Sequence, residues 1–318
     1  MNTHLRHCSI STWSWVTLAA VTFACVVPGL SFAQENLVAK RGQRIAPIYE
    51  GWMTNPDGTF ELIFGYFNLN TEQVIDVPIG PNNNIGPEGP DYGQPAHFFP
   101  LRSRFTFSVT VPADFGEKEL VWTITANGIT EYAFATLKPD YIIDERIMMI
   151  NNGGFGGRGQ RLGEPDNVPP SIRLEGSATR TVKVGEPLAL VAYAGDDGNP
   201  RGGLGGSNDL GLGTGWFIYR GPDTAVSLKP QQEHPAYRQR KLRQERLARN
   251  AFRATERQSA AVSGDTTQTA TIPTAAIVKD REVPVTATFS TPGAYTLRAM
   301  AHDGGLAATV NVTVTVNP

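Results

Sequence analysis

Beyond residue 25 the chain contains no cysteine: its two thiols, Cys8 and Cys25, both lie near the start. If that stretch is removed, what remains forms no disulfide, offers no thiolate to a metal and attacks through no thiol. Histidine is scarce too. Beyond the first 33 residues there are only His97, His234 and His302, far apart and in unrelated contexts, and no His-x-x-x-His pair or serine elbow appears. Zinc hydrolysis and triad chemistry therefore have no motif to stand on. An excess of one charge is also missing. Lys and Arg total 28 against 30 Asp and Glu, a formal net charge of −2, so the bulk electrostatics expected of a nucleic-acid binder are absent. Past the first thirty-odd residues no apolar run is long enough to cross a membrane.

The start reads as a secretory leader. Arg6 gives a weakly positive beginning, and Trp13 to Val27 forms an apolar stretch that Pro28-Gly29 ends. Ser31-Phe32-Ala33 then puts small residues where signal peptidase reads them. Cleavage after Ala33 is expected, leaving Gln34 first, in a protein that is secreted or periplasmic. A retained anchor is one alternative, but the stretch falls short of the roughly 20 residues a span needs. A lipid-modified Cys25 is another, though Thr22 and Phe23 fit a lipobox poorly.

Glycine (33) and proline (23) are abundant, as many turns between short strands require. Residues 34–150 read as one β-sandwich domain. Ile45 to Thr54 and Thr59 to Leu69 are strand-like runs around Asn55-Pro56-Asp57-Gly58, and Gln73 to Ile79 is a short third run. Gly80 to Pro95 reads as a long loop. Arg102 to Val111 alternates, with Phe105, Phe107, Val109 and Val111 on one side. Leu120 to Ala126 and Ile129 to Leu137 flank Asn127-Gly128, the best hairpin signal in the chain. Tyr141 to Ile150 is expected to be a last strand. Residues 151–170, rich in Gly, Asn and Pro, read as a linker.

Residues 171–318 read as a second sandwich. Leu188, Leu190, Ala192 and Ala194 face inward on one strand, and Tyr295, Leu297, Ala299 and Ala301 on another. An insertion over 231–281 interrupts it. The fold class is thus all-β: two antiparallel sandwiches, the second carrying a basic helical insertion, behind a signal peptide.

The blocks Val184-Gly-Glu-Pro-Leu-Ala-Leu190, Asp197-Gly198 and Phe289-x-x-Pro292-Gly293-x-Tyr295-x-Leu297 resemble the Ig-like and PKD-like modules of bacterial envelope and secreted proteins. The resemblance implies that Trp216 is the core tryptophan of a middle strand and Tyr295 the corner tyrosine. Leu190 and Leu297 would replace the disulfide of Ig domains by an apolar contact. Trp216-Phe-Ile-Tyr-Arg-Gly221 departs from the PKD pattern Trp-x-Phe-Gly-Asp-Gly. The whole chain also resembles uncharacterised secreted two-domain bacterial proteins, a likeness that transfers no function.

Asp196, Asp197 and Asn199 follow one inward-facing strand, and Asp303 follows another. In an Ig topology the two strands end at one pole, which would gather hard oxygen ligands of the kind Ca²⁺ takes. The plainer reading is that each Asp closes its own turn. Gly202 to Leu210 faintly resembles one imperfect copy of a β-roll calcium repeat, and Gly153 to Gly159 lacks the lysine of a phosphate loop.

The insertion carries Arg240, Arg243, Arg246, Arg249 and Arg253 among good helix formers between Pro235 and Gln258. A basic amphipathic helix suits an anionic surface such as phospholipid or an acidic polymer. The plainer reading is a helix packed on the sandwich with a solvated charged side. Aromatics in the first domain (Trp52, Tyr66, Phe67, Tyr92, Phe98 and Phe99) are either sugar-stacking loops or core.

The expected function is a non-enzymatic binding or scaffold protein of the bacterial envelope. It would contact an envelope protein or a polysaccharide, with no nucleic acid and no membrane span once the leader is gone. No cofactor is required beyond a possible Ca²⁺. The alternative is a hydrolase that acts through carboxylates on an envelope polymer or glycan. A cleft between the domains lined by two or more Asp or Glu would favour it.

Overall fold

The computed structural model describes residues 39–87, 89–152, 167–198, 212–230, 277–303 and 305–318. Cys8, Cys25, Ala33, Gln34, Asn199, the five insertion arginines and the expected helix over 235–258 lie outside them.

The first sandwich begins where the turn chemistry places it. Asp57 Oδ1 accepts from the Thr59 backbone N–H at 3.0 Å and from its hydroxyl at 2.6 Å. Gly58 takes φ +85, which a side chain would resist. Strands β1 (Ile45–Thr54) and β2 (Phe60–Asn68) pair antiparallel on either side, and β6 (Leu101–Val111) joins β2. In the facing sheet, β7 (Leu120–Ala126) and β8 (Ile129–Ala135) close around Asn127 and Gly128 at φ +51 and +77, the two positive values a tight hairpin needs. Inward Leu62, Phe64, Phe107 and Trp122 fill the core. Phe64 stacks on Phe107 at 5.2 Å, and Phe107 meets Trp122 edge-on at 4.9 Å.

Three local expectations change. The stretch 80–95 is not simply a loop: β4 (Asn83–Gly86) pairs with β7. Fully buried Asn83 pins it, donating to Val77 O and Pro95 O while accepting from Trp122 Nε1. Two short strands, β3 (Ile75–Asp76) and β5 (His97–Phe98), pair beside it. Second, residues 141–150 do not form a strand. Asp144 Oδ1 accepts from Ile147 N at 2.7 Å, a helix N-cap, and α1 (Glu145–Asn152) follows. Third, Phe105 is only half-buried at φ +47, in a bulge where β6 slips against β2 between Phe64 and Tyr66.

The second sandwich comprises β9 (Ser171–Leu174), β10 (Thr179–Lys183), β11 (Leu188–Asp196), β12 (Gly213–Arg220), β13 (Val226–Lys229), β14 (Val278–Phe289), β15 (Gly293–His302) and β16 (Ala307–Asn317). One sheet has the order β13-β14-β11-β9, the other β10-β16-β15-β12. Counting β9 as A and β16 as G, these are the DEBA and A′GFC sheets of an Ig-type sandwich. All pairings are antiparallel except β10 with β16. β14 starts at Val278, inside the bounds expected for the insertion.

Leu190, Trp216, Tyr295 and Leu297 sit in the core at 2% exposure or less. Trp216 Nε1 donates to Val283 O at 2.7 Å. Tyr295 hydroxyl donates back to Thr291 O at 3.0 Å, the corner bond, and its ring leaves no room for a side chain at Gly221, whose φ of +109 also disfavours one. No helix among the described residues is long and apolar enough to cross a membrane.

Candidate functional site

Two places concentrate polar chemistry: the junction of the sandwiches and one pole of the second. The junction arises because β12 and β15 are apolar or buried on both faces. Inward-facing Trp216 and Ile218 alternate with Phe217 and Tyr219, which are buried as well, at 4% and 2% exposure. On β15 the outward Arg298 and Met300 are equally covered. Residues of the first sandwich cover them. Phe99 meets Phe217 edge-on at 5.8 Å and joins a small third cluster with Tyr219 and Met300.

Hydrogen bonds surround that cluster. Tyr219 donates its hydroxyl to Gly93 O at 2.7 Å, and its carbonyl accepts from Ala96 N at 3.1 Å. Arg220 grips Asp91 with two nitrogens at 2.9 and 2.8 Å and also reaches Gln94 O. This bidentate contact holds the Asp91 carboxyl below its ordinary value. Asp76 Oδ1 lies 2.6 Å from His97 Nδ1, and its Oδ2 accepts from Asp223 N at 3.2 Å. Burial lowers the Arg298 pKa and raises that of Tyr219, while each group pulls the other back. Asp91 is thus held by Arg220, and Asp76 by His97 and a backbone N–H, beside the apolar cluster of Phe99, Phe217, Tyr219 and Met300.

The pole lies where β11 and β15 end. Asp303 is 3% exposed. Its Oδ1 accepts from Gly305 N at 2.6 Å and Leu306 N at 2.7 Å, and its Oδ2 accepts from Asn167 Nδ2 at 2.9 Å. Asp196 Oδ2 accepts from Gly198 N at 3.0 Å, closing the turn by its own backbone. Burial raises both carboxyls. The Asp303 and Asp197 charges push Asp196 up further, and the Asp197 charge does so to Asp303. His302, packed against Gly213, is driven down to about 4 by burial. The structure therefore draws Asp196, Asp197 and Asp303 to one pole, while Asn199 lies outside the described residues. Among the described residues no three His, Cys, Asp or Glu side chains group as a metal centre. Asn167, 5% exposed, is a participant that the reading of residues 151–170 as linker did not single out.

Of the aromatic candidates, Tyr66 and Phe98 are core, Trp52 and Tyr92 are half-buried against it, and Phe99 belongs to the junction. Only Phe67 is exposed. A different pair presents rings to solvent: Tyr132 and Phe134 on β8, 54% and 56% exposed, with centroids 6.2 Å apart and planes at 29°. Their i, i+2 spacing on a strand was the available signal.

No protein-family model matches the chain, and no curated protein matches it in sequence. Solved structures give distant likenesses. Domains 4 and 5 of the S-layer protein SbsC align over 87% of this chain and 98% of theirs, at 10% identity and a TM-score of 0.22. The titin domains Z1Z2, solved in complex with telethonin, align over 85% and 90% at 12% identity and the same TM-score. The two Ig domains of Dpr2, solved with DIP-Theta, align over 86% and 99% at 8% identity, again at 0.22. Scores this low carry no argument, and the Ig-type assignment rests on the strand order and the corner tyrosine described above.

Proposed function

We propose that the chain is an exported, non-enzymatic binding or scaffold module of the bacterial envelope that presents two sandwiches as one rigid piece. The observation that carries the reading is the filled junction. A hydrolase working between the domains needs an open, water-accessible cleft with free carboxylates. Here Phe99, Phe217 and Met300 occupy that space, Asp91 is clamped by Arg220, and Asp76 faces His97. Rigidity of this kind suits a spacer or a presented surface. The rings of Tyr132 and Phe134 offer a stacking surface that a polysaccharide of the envelope would use. The arginines at 240, 243, 246, 249 and 253 would add peripheral attraction to an anionic surface.

The chain from Gln34 onward, incubated with isolated bacterial cell-wall polymer, should sediment with it and release no soluble fragments. Release of reducing ends or muropeptides would replace this reading with the hydrolase. Failure to sediment would remove the envelope polymer as partner. Cleavage after Ala33 is checked separately, by N-terminal sequencing of the exported protein.

A further inference from the structure

The pole of the second sandwich has more oxygen than its hydrogen bonds use. Asp196 Oδ1 is buried with no hydrogen-bond partner, although its other oxygen closes the Gly198 turn. Asn167 is a second and independent case. It comes from the segment leading into β9, not from the acidic turns. Its amide nitrogen is committed to Asp303 Oδ2, which fixes the amide's orientation, since the flipped form would set oxygen against carboxylate. Asn167 Oδ1 is left buried without a partner in a side chain only 5% exposed. Buried polar atoms without partners are rare, and two of them, on side chains that bond Asp303 or feel its charge, ask for something that accepts electron pairs.

We infer that this pole binds one hard divalent cation of the Ca²⁺ class between Asp196, Asp303 and the amide oxygen of Asn167. The donors are all oxygen, a set that favours such an ion over zinc or copper. Ligands of one Ca²⁺ lie at 2.3–2.6 Å from it, so any two are within about 5 Å of each other. Asn167 Oδ1 shares an amide with a nitrogen 2.9 Å from Asp303, which keeps it inside that span. Two carboxylates alone are too few, and the amide oxygen supplies the third protein ligand; water and backbone carbonyls complete such shells. The ion would tie the incoming segment to the ends of β11 and β15. This site is separate from the junction and from any envelope partner, so its failure leaves the proposed function standing.

The chain from Gln34 onward, stripped with EDTA, is titrated with CaCl₂ by calorimetry and by thermal unfolding. One saturable site is expected, with a melting temperature that keeps rising with Ca²⁺ above the dissociation constant. Mg²⁺ at equal concentration should shift it far less, because Mg²⁺ demands a stricter octahedron. Asn167→Ala should weaken Ca²⁺ affinity about tenfold or more, the scale of losing one ligand-shell contact. Asp303→Asn should abolish the heat, and Asp196→Asn serves the same purpose if that variant does not fold. Wild-type protein indifferent to millimolar Ca²⁺ overturns the site. Unaltered affinity in Asn167→Ala overturns the ligand assignment, and an equal Mg²⁺ response overturns the Ca²⁺ class.

Discussion

Arg298 lies flat over the ring of Tyr219, its guanidinium carbon 3.4 Å from the ring centroid, while its Nη1 donates to the carbonyl of Thr106 in the other sandwich. Its Nε is held by Asn311 at 2.7 Å. A buried cation is tolerated because each part of it has a partner: the ring face below, an amide oxygen at one side and a carbonyl ahead.

Arg298→Ala should therefore do more than remove a side chain. It exposes an aromatic face and leaves the Thr106 carbonyl short of a donor. The expected cost is about 4 kcal/mol or more, from two charged hydrogen bonds and a desolvated cation–π contact. Calorimetry should show the single unfolding transition splitting as the sandwiches uncouple. One undivided transition at the wild-type temperature would show that the junction contributes nothing to cooperativity.

Acid should loosen the same junction. Folding lowers the Asp91 carboxyl through its hydrogen bond to Arg220. Its contribution is thus complete above the unfolded value of about 4, and it fades as pH falls through the lower folded value. Small-angle scattering between pH 6 and pH 3 should report a growing radius, and Asp91→Asn should resemble the acid form already at pH 6. A wild-type radius in that variant at neutral pH would sink the idea.

In the core of the second sandwich, Leu297→Ala should cost about 2–5 kcal/mol, since the site is fully buried between rigid strands. Tyr295→Phe keeps the ring and deletes only the hydroxyl's contacts to Thr291, the corner bond to its carbonyl and the contact with its Oγ1. About 0.5–1.5 kcal/mol is expected for it, read from the urea midpoint. A Tyr295→Phe loss as large as that of Leu297→Ala would contradict a separate, modest role for the hydroxyl.

Asn83→Ala should be among the most damaging polar changes in the first sandwich. It strands Trp122 Nε1, Val77 O and Pro95 O together. About 3 kcal/mol or more follows from several buried groups left unpaired. Near-UV circular dichroism should also change, because the Trp122 indole loses its anchor. An unaltered spectrum and midpoint would mean that water replaces the amide.

How much of this was legible in the sequence differs by the kind of signal. The 55–58 and 127–128 turns, and with them β1, β2, β7 and β8, follow from local residue chemistry, because glycine and asparagine supply backbone angles that others avoid. Inward Leu190, Trp216, Tyr295 and Leu297 follow from period-two alternation. The junction does not, because alternation assumes one wet face. Arg298 and Met300 looked like outward residues and are buried by a second body. The run Trp216-Phe-Ile-Tyr219 carried the hint, being apolar on both phases as strands buried on two faces are. Helix α1 hides in the sequence because residues 141–150 are largely apolar and only the Asp144 cap marks its start. Asn167 was illegible because its role depends on Asp303, distant in sequence, turning its carboxylate toward it.

The parallel pairing of β10 with β16 has a mechanical consequence. Thr179 through Lys183 run alongside Thr313 through Asn317 in the same direction, one strand near the start of the sandwich and the other at its end. Tension applied to the two ends draws these strands past each other along their length. The ladder is loaded in shear, so its bonds resist together instead of opening one at a time. A hairpin pulled from its open ends, as β7 with β8 would be, unzips bond by bond. In a chain held under tension, this edge is where the second sandwich would carry the load, and single-molecule pulling on Thr181→Pro should find the yield force reduced.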